Sequence, residues 1–204
     1  MSEQMSLNEA MYNCRAMRRL ESREVPEADL IQLIDAANQA PSGSNTQNAR
    51  WVVVRDASQK QKLADLNRKH AEPYIAPQRA NPPNEKHKRL LDAVVWQMDH
   101  MHEIPALIVA CFDYPEKVEG LGIYRSAGSV WPGIQNLLLT ARALGLGAAP
   151  TTLALRDQDA VRQVLNLPET FASLCLIPVG YPIGKFGPVV RKPRAETMRF
   201  DSWT

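Results

Sequence analysis

Apolar residues recur along this chain in two patterns, as short continuous runs and as stripes at helical spacing. Continuous apolar runs bounded by polar or turn residues predict buried strands. They cover residues 51–54, 106–112 and 173–180. Pro178 in the third run has no N–H for a strand ladder, so we expect it at a sheet edge or at the strand's end.

Apolar stripes with a period near 3.6 predict the helices. They cover residues 7–20, 27–40, 59–68, 89–101, 126–144 and 157–165. Pro26, Glu27 and Asp29 suit the start of the second helix, and Ser58 suits the cap of the third. The helix over 126–144 is apolar on nearly all faces, which predicts burial in a core or between subunits. The pattern as a whole predicts a mixed α+β domain.

Four prolines between residues 72 and 84 predict an irregular segment in the middle of the chain. Long irregular segments inside compact domains are often lids or binding loops, and disorder is the simpler interpretation. The basic residues of the stretch 86–89 either form a solvated helix start or attract a phosphorylated dinucleotide.

Length and charge narrow the class of protein. A chain of 204 residues with 45% hydrophobic residues predicts one soluble domain over residues 1–204. No run approaches the roughly 18 apolar residues of a membrane span, and no signal peptide is evident, so we expect a cytoplasmic protein. A dispersed net charge of +2 does not indicate nucleic-acid binding.

Several common kinds of site are not supported. The three cysteines are far apart without a C-x-x-C pair, which argues against a disulfide framework. His100 and His102 are two residues apart and would not share a helix face, so no metal site is expected. Neither G-x-G-x-x-G, G-x-x-x-x-G-K-[ST] nor a serine nucleophile elbow occurs.

Two features indicate a binding site, although each also has an ordinary interpretation. Arg15 and Arg19 are four residues apart and would share one face of the predicted first helix. A phosphate would relieve their repulsion, and a solvated basic surface is the alternative. Ser42 and Asn45 lie in a turn flexed by Gly43, which either presents donors to a ligand or is a plain surface turn.

In chain order, six short segments resemble the FMN-dependent nitroreductase family over about residues 13–203. They are Arg-Ala-Met-Arg-Arg at 15–19, Ala-Pro-Ser-Gly-Ser-Asn-Thr-Gln at 40–47, Ala-Arg-Ala-Leu-Gly-Leu-Gly at 141–147, Pro-Thr-Thr at 150–152, Ile-Pro-Val-Gly-Tyr-Pro at 177–182 and Arg-Lys-Pro at 191–193. The resemblance implies an α+β nitroreductase-like fold with a central mixed or antiparallel sheet flanked by helices. It also implies a homodimer with the long core helix at the interface.

The resemblance further implies a site for FMN. Arg15, Arg19 and Arg191 would bind its phosphate, and Ser42 and Asn45 would contact the ribityl chain or the ring. A turn of three residues would pass along the flavin with a backbone N–H near N5, a position that suits stabilisation of the reduced ring. The turn consists of Pro150, Thr151 and Thr152. Gln97 or His100 would approach the pyrimidine side of the ring.

The implied activity is ping-pong hydride transfer from NAD(P)H to a nitroaromatic or quinone-type acceptor, with no catalytic acid or base from the protein. The alternatives are a reductive dehalogenase-like enzyme, a flavin-fragmenting enzyme and a protein that only binds or sequesters FMN. This chain departs from the family at Met17, where serine is usual, and residues 72–89 match no familiar nitroreductase lid. Substrate choice therefore does not transfer with the resemblance.

Overall fold

Four antiparallel strands form the central sheet of the computed structural model, which describes residues 5–117, 119–120, 122–123 and 127–203. The strands are β1 (Ala49–Val54), β2 (Ala106–Asp113), β3 (Gly147–Ala148) and β4 (Phe171–Gly180), in the spatial order β1-β2-β4-β3. Every neighbouring pair is antiparallel. The three predicted strands are confirmed, and β3 is an addition.

Within the described residues, seven α-helices surround this sheet. They are α1 (Leu7–Asn13), α2 (Glu27–Asn38), α3 (Ala57–Ala80), α4 (Glu85–His100), α5 (Val130–Ala143), α6 (Gln158–Leu165) and α7 (Arg194–Thr197). The α+β class is confirmed. Four short 3-10 helices connect these elements, at Gly43–Asn45, Met101–Glu103, Ala127–Ser129 and Ala154–Arg156.

Both faces of the sheet are buried, as strand β2 shows. Successive residues of a strand point to opposite faces of the sheet. In β2, Ile108 and Ala110 belong to the core cluster that contains α2 and α5 residues, whereas Leu107 and Val109 belong to the cluster that contains α3 and α6 residues. All four side chains are fully buried. A strand buried on both faces has the continuous apolar run that made it predictable.

The predicted start of α2 is confirmed, with Pro26 as N-cap and Glu27 and Asp29 in the first turn. The cap predicted for the next helix is wrong. The Oδ1 atom of Asp56, not the side chain of Ser58, accepts from the backbone N–H of Gln59 at 2.9 Å.

The first helix is shorter than predicted, because α1 ends at Asn13 and the residues after it are not helical. The Met17 N–H instead donates to Ala148 O of β3 at 3.0 Å, and Leu20 forms an isolated β-bridge with Pro182 after β4. The segment therefore lies against the edge of the sheet, which satisfies its backbone there. Arg15 and Arg19 consequently do not share a helix face, and that prediction is wrong.

The prediction of an irregular segment over residues 72–84 is wrong as far as Ala80, since α3 continues through Pro73 and Pro77, and it is confirmed for residues 81–84. Proline removes a helical hydrogen bond, but both prolines are exposed, so the carbonyls they leave free can be hydrated. On the opposite side Ala71 and Ile75 are buried against residues of α4. Packing of this face offsets the cost of the prolines.

The long apolar helix is confirmed as α5, although it begins at Val130, after a 3-10 turn, and Ser126 lies outside the described residues. One face packs on the sheet through Ile134 and Leu137. Trp131 is 41% exposed, and Pro132 and Gln135 are exposed too, so part of the surface of this helix is uncovered in a single chain. Among the described helices none is long and apolar enough to cross a membrane.

Pro178 occupies a place that differs from the predicted one. It lies near the end of β4, but β4 is an interior strand. Pro178 pairs with Leu107 on one side, and on the other side it falls between the isolated Thr151–Leu176 bridge and the Ala148–Val179 pair. The missing N–H is tolerated at this position because the second ladder is interrupted there.

Candidate functional site

A cavity of about 260 Å³ lies between four parts of the chain. They are the N-terminal segment (residues 14–20, after α1), helix α5, the Pro150 turn (residues 150–152) and the C-terminal tail that follows β4. Three arginines from three distant parts of the chain line it, namely Arg15, Arg142 and Arg191. We name it the arginine cavity. The rest of its lining consists of Met11, Cys14, Ala16, Gln135, Leu138, Leu146, Ala148, Pro150 and Phe186.

Gly147 of β3 lets the N-terminal segment reach the arginine cavity. A Cβ atom at this position would be 2.7 Å from Leu20 Cδ2 and 2.8 Å from Met17 Cβ. Any side chain would therefore push the segment away from the sheet. Arg15 follows α1 directly in this segment, and its guanidinium lies near Gly187 in the tail, with Nη1 3.9 Å from the position of a Cβ there.

The positive charge of the arginine cavity is not neutralised by the protein. Among the described residues, no carboxylate forms an ion pair with Arg15, Arg142 or Arg191. Guanidinium groups gathered without carboxylates favour an anionic ligand, and phosphate matches their planar donors best.

A larger cavity of about 400 Å³ offers an instructive contrast. Three cations line it, Lys117, Arg156 and Arg162, but three carboxylates line it as well, Glu119, Asp157 and Asp159. Lys117 is paired with Glu119 at 3.2 Å and Arg162 is paired with Asp159. Since these charges are already compensated, the larger cavity has less attraction for an anion. Chemistry and not volume therefore identifies the arginine cavity as the candidate site.

Arg18 and Arg19, the neighbouring arginines of the N-terminal segment, differ in their exposure to solvent. Arg19 is exposed and lies outside the arginine cavity, and its carbonyl oxygen accepts from the Ile183 N–H at 3.0 Å. Arg18, which the sequence analysis did not single out, is half-buried, and this burial lowers the pKa of its guanidinium.

The turn at Pro150 borders the arginine cavity, and one of its backbone donors is free. The N–H and the C=O of Thr151 bond to the C=O and N–H of Leu176, at 2.8 and 2.9 Å. Within the described part of the chain, the Thr152 N–H donates no hydrogen bond. Thr152 is exposed, so its N–H is available to a ligand.

The loop with Ser42 and Asn45 borders a separate cavity of about 280 Å³, which shares no lining residue with the arginine cavity. Ser42 Oγ accepts from the Gln47 N–H at 2.9 Å, and Asn45 Oδ1 accepts from Gln47 Nε2 at 3.2 Å. Ser44, Asn45 and Gln47 all have positive φ, of 51°, 54° and 52°. Non-glycine residues in this region are uncommon, so the loop has a strongly specified shape.

Three further side chains stand out in the structure but were absent from, or uncertain in, the sequence analysis. Arg142 and Phe186 line the arginine cavity, and Gln97 is 5% exposed with no partner for its Nε2 atom among the described residues. A lone cation in the last turn of an otherwise apolar helix was the available signal for Arg142. Phe186 carried no signal, because its partner is distant in sequence.

Metal coordination finds no support in the part of the chain that the structure describes. No group of three or more His, Cys, Asp or Glu side chains comes together there. The free cysteines Cys111 and Cys175 are buried, and burial raises the pKa of each thiol to about 12.

Comparison with known proteins agrees with the motifs and the fold. The profile of the family described as "Nitroreductase family" matches residues 13–181. An NADH dehydrogenase of Thermus thermophilus is 30% identical over 190 residues, which cover 88% of this chain and 88% of that protein. An iodotyrosine deiodinase of Thermotoga neapolitana is 28% identical over 186 residues, which cover 90% of this chain and 91% of that protein.

Among solved structures, an oxidized iodotyrosine deiodinase bound to FMN and 3-iodo-L-tyrosine superposes with a TM-score of 0.72. It is 27% identical, and the match covers 97% of this chain and 100% of that chain. Three findings agree with one another. They are a family match over most of the length, an NADH dehydrogenase relative and an FMN-bound structural neighbour. The chain is a member of the Nitroreductase family.

Proposed function

We propose that this protein binds FMN in the arginine cavity and uses it for NAD(P)H-dependent reduction of a small acceptor. The observation that carries the proposal is the placement of three arginines beside the Pro150 turn. Among the described residues these arginines have no carboxylate partner, and the turn has a backbone N–H without an acceptor. FMN has both matching parts, a phosphate and a ring whose N5 accepts a hydrogen bond. The family membership of the chain and its FMN-bound structural neighbour support this choice.

Arg15 and Arg191 would hold the phosphate, since both line the arginine cavity. Paired guanidinium donors match phosphate oxygens in geometry as well as in charge. The resemblance implies the same role for Arg19, but Arg19 does not line the arginine cavity, which gives that role no support in a single chain.

The Thr152 N–H would donate to N5 of the flavin, because it is the donor of the Pro150 turn that no acceptor among the described residues uses. Such a donor stabilises negative charge that develops on a reduced ring. For the pyrimidine side the structure favours Gln97 over His100. Gln97 Nε2 is buried and has no partner in the part of the chain that the structure describes. The His100 ring, in contrast, is bonded to Trp96 O at 2.9 Å and stacked on the Trp96 ring.

When bound, FMN would supply the redox chemistry, a ping-pong hydride transfer from NAD(P)H to a nitroaromatic or quinone-type acceptor. The protein's residues bind the phosphate, position the ring and supply the donor at Thr152. We propose no catalytic acid or base from the protein.

We further propose that the protein is a homodimer in which the loop with Ser42 and Asn45 reaches the flavin of the partner. In one chain this loop lies outside the arginine cavity. The exposed face of α5 with Trp131 offers an uncovered apolar surface, and the tail ends in exposed Phe200 and Trp203, which could wrap onto the partner. Light scattering of the FMN-loaded protein tests this, and a stable monomer at all concentrations would contradict it.

A reductive dehalogenase-like activity is the second candidate, favoured by deiodinase matches among both the relatives and the solved structures. To bind a halogenated tyrosine, Glu, Tyr and Lys side chains would have to converge on it from residues 72–89, the segment compared above with a nitroreductase lid. Glu72 and Tyr74 are two residues apart on α3 and therefore do not face each other. This gives the reductase function the better support, with a flavin-fragmenting enzyme and an FMN-sequestering protein as further alternatives.

Steady-state oxidation of NADH and NADPH by the FMN-loaded protein distinguishes these functions. We expect turnover with a quinone or a nitrofuran and parallel lines in double-reciprocal plots, as ping-pong kinetics require. Turnover with 3-iodotyrosine but not with these acceptors would favour dehalogenation, and no turnover at all would favour sequestration.

Cys14 gives a test of the cavity that needs no substitution. Its thiol lines the arginine cavity, and burial raises its pKa more than the nearby Arg142 and Arg191 lower it. We therefore expect slow alkylation near neutral pH that accelerates above the ordinary thiol pKa of about 8.5, at Cys14 before Cys111 or Cys175.

Saturating FMN should protect Cys14 from iodoacetamide, as measured by mass spectrometry of peptides. Unfolded protein, in which all three cysteines react, serves as the control. Equal alkylation of Cys14 with and without FMN would place the flavin outside the arginine cavity.

A further inference from the structure

Arg142 occupies an unusual position for a charged residue. It lies in the last turn of α5, and its guanidinium carbon is 4.3 Å from the centroid of the Phe186 ring. Stacking on an aromatic face orients the guanidinium plane and favours its charge. The pair connects the core helix with the segment that follows β4, at the wall of the arginine cavity.

The hydrogen bonding of Arg142 is incomplete. Its Nε atom is buried and, within the described residues, has no hydrogen-bond partner. The side chain also forms no ion pair with a carboxylate described by the structure. A buried donor without an acceptor is costly, so a site that contains one is suited to a ligand that supplies the acceptor.

The N-terminal segment lacks a hydroxyl donor for a phosphate. Residues 14–17 are Cys, Arg, Ala and Met, so this stretch offers no hydroxyl to a phosphate. Arg142 and Arg191 both lie close enough to Cys14 to affect the pKa of its thiol. The two guanidinium groups therefore lie near Cys14, and both line the same cavity as this segment.

We propose that Arg142, oriented by Phe186, is a phosphate-binding residue of this protein and makes it select FMN over riboflavin. This inference rests on the proposed FMN site. Arg15 and Arg191 are exposed and lie outside the helices, whereas Arg142 is partly buried and belongs to the core helix α5. A guanidinium held by a helix and an aromatic ring loses little freedom on binding, which increases its contribution to affinity.

A purely structural role for Arg142 also has a physical basis, because a cation is favoured at the C-terminal end of a helix. The two roles differ in their dependence on the phosphate. Loss of a structural contact would weaken FMN and riboflavin binding alike, whereas loss of a phosphate contact would weaken FMN binding alone.

The experiment titrates FMN and riboflavin into flavin-free full-length protein and follows quenching of flavin fluorescence. For Arg142→Gln we expect FMN affinity to fall by about tenfold to a hundredfold, with riboflavin affinity within about twofold of the original protein. Phe186→Leu should give a smaller loss in the same direction. Arg55→Gln is the matched control, since Arg55 is ion-paired with Glu27 and does not line the arginine cavity.

Three outcomes would overturn the inference. They are an equal loss of FMN and riboflavin affinity in Arg142→Gln, no loss of either, and no preference of the original protein for FMN. If Arg142→Gln does not fold, as thermal melting would reveal, Arg142→Lys and Phe186→Leu carry the same comparison. Failure of the original protein to bind either flavin would instead refute the proposed function itself.

Discussion

Gly147→Val is expected to destabilise the protein by at least about 1–3 kcal/mol and to abolish most FMN binding at the same time. The valine Cβ would meet Leu20 Cδ2 at 2.7 Å and Met17 Cβ at 2.8 Å, which are impossible contacts. Met17 Cβ is attached directly to the backbone, so the N-terminal segment must move. Arg15 lies two residues before Met17 and would move with it out of the arginine cavity.

Urea unfolding and FMN titration measure the two effects of Gly147→Val. Gly184→Val is the matched control, because a Cβ at Gly184 would meet no atom within 4 Å. We expect Gly184→Val to change stability by no more than about 0.5 kcal/mol. Unchanged unfolding and FMN affinity in Gly147→Val would mean that the segment does not depend on its contact with β3.

Removing Arg15 and Arg191 together should lower FMN affinity by more than about a hundredfold. Each arginine would contribute charged hydrogen bonds worth about 1.5–3 kcal/mol to phosphate binding. The two line one cavity, so their effects should couple and not simply add. Riboflavin lacks the phosphate, and its affinity should change little in the double variant.

Arg19→Ala distinguishes the resemblance from the geometry. By the resemblance, FMN affinity should fall markedly, by roughly 1.5–3 kcal/mol. By the geometry of one chain, an exposed Arg19 outside the arginine cavity contributes little. No change in FMN affinity would remove Arg19 from the phosphate site, and a marked loss would indicate that Arg19 reaches the flavin in the dimer.

The elements that the sequence predicted correctly are those whose signals lie within their own residues. β2 is buried on both faces, so its residues form one apolar run, and α2 carries its own start signals at Pro26 and Glu27. The misjudged elements depend on distant partners. The predicted first helix does not continue beyond α1, because the Met17 N–H donates to Ala148 O of β3. Helix α3 continues through two prolines because Ala71 and Ile75 pack on α4.

The candidate site divides in the same way. Arg15, Pro150 and Arg191 were predicted from the order of motifs, and the structure places all three on one cavity. Arg142 belongs to a recognisable motif, but its importance depends on Phe186, which only the fold brings to it. Ser42 and Asn45 lie elsewhere in a single chain, and a homodimer would bring them to the flavin.

The central claim, that the arginine cavity holds FMN, is tested most directly by the visible spectrum of the purified full-length protein. We predict a yellow protein with one flavin per chain that is bleached by NADH or NADPH without oxygen, and a colourless Arg15→Ala, Arg191→Ala double variant at the same flavin concentration. A colourless original protein that cannot take up added FMN would contradict the claim.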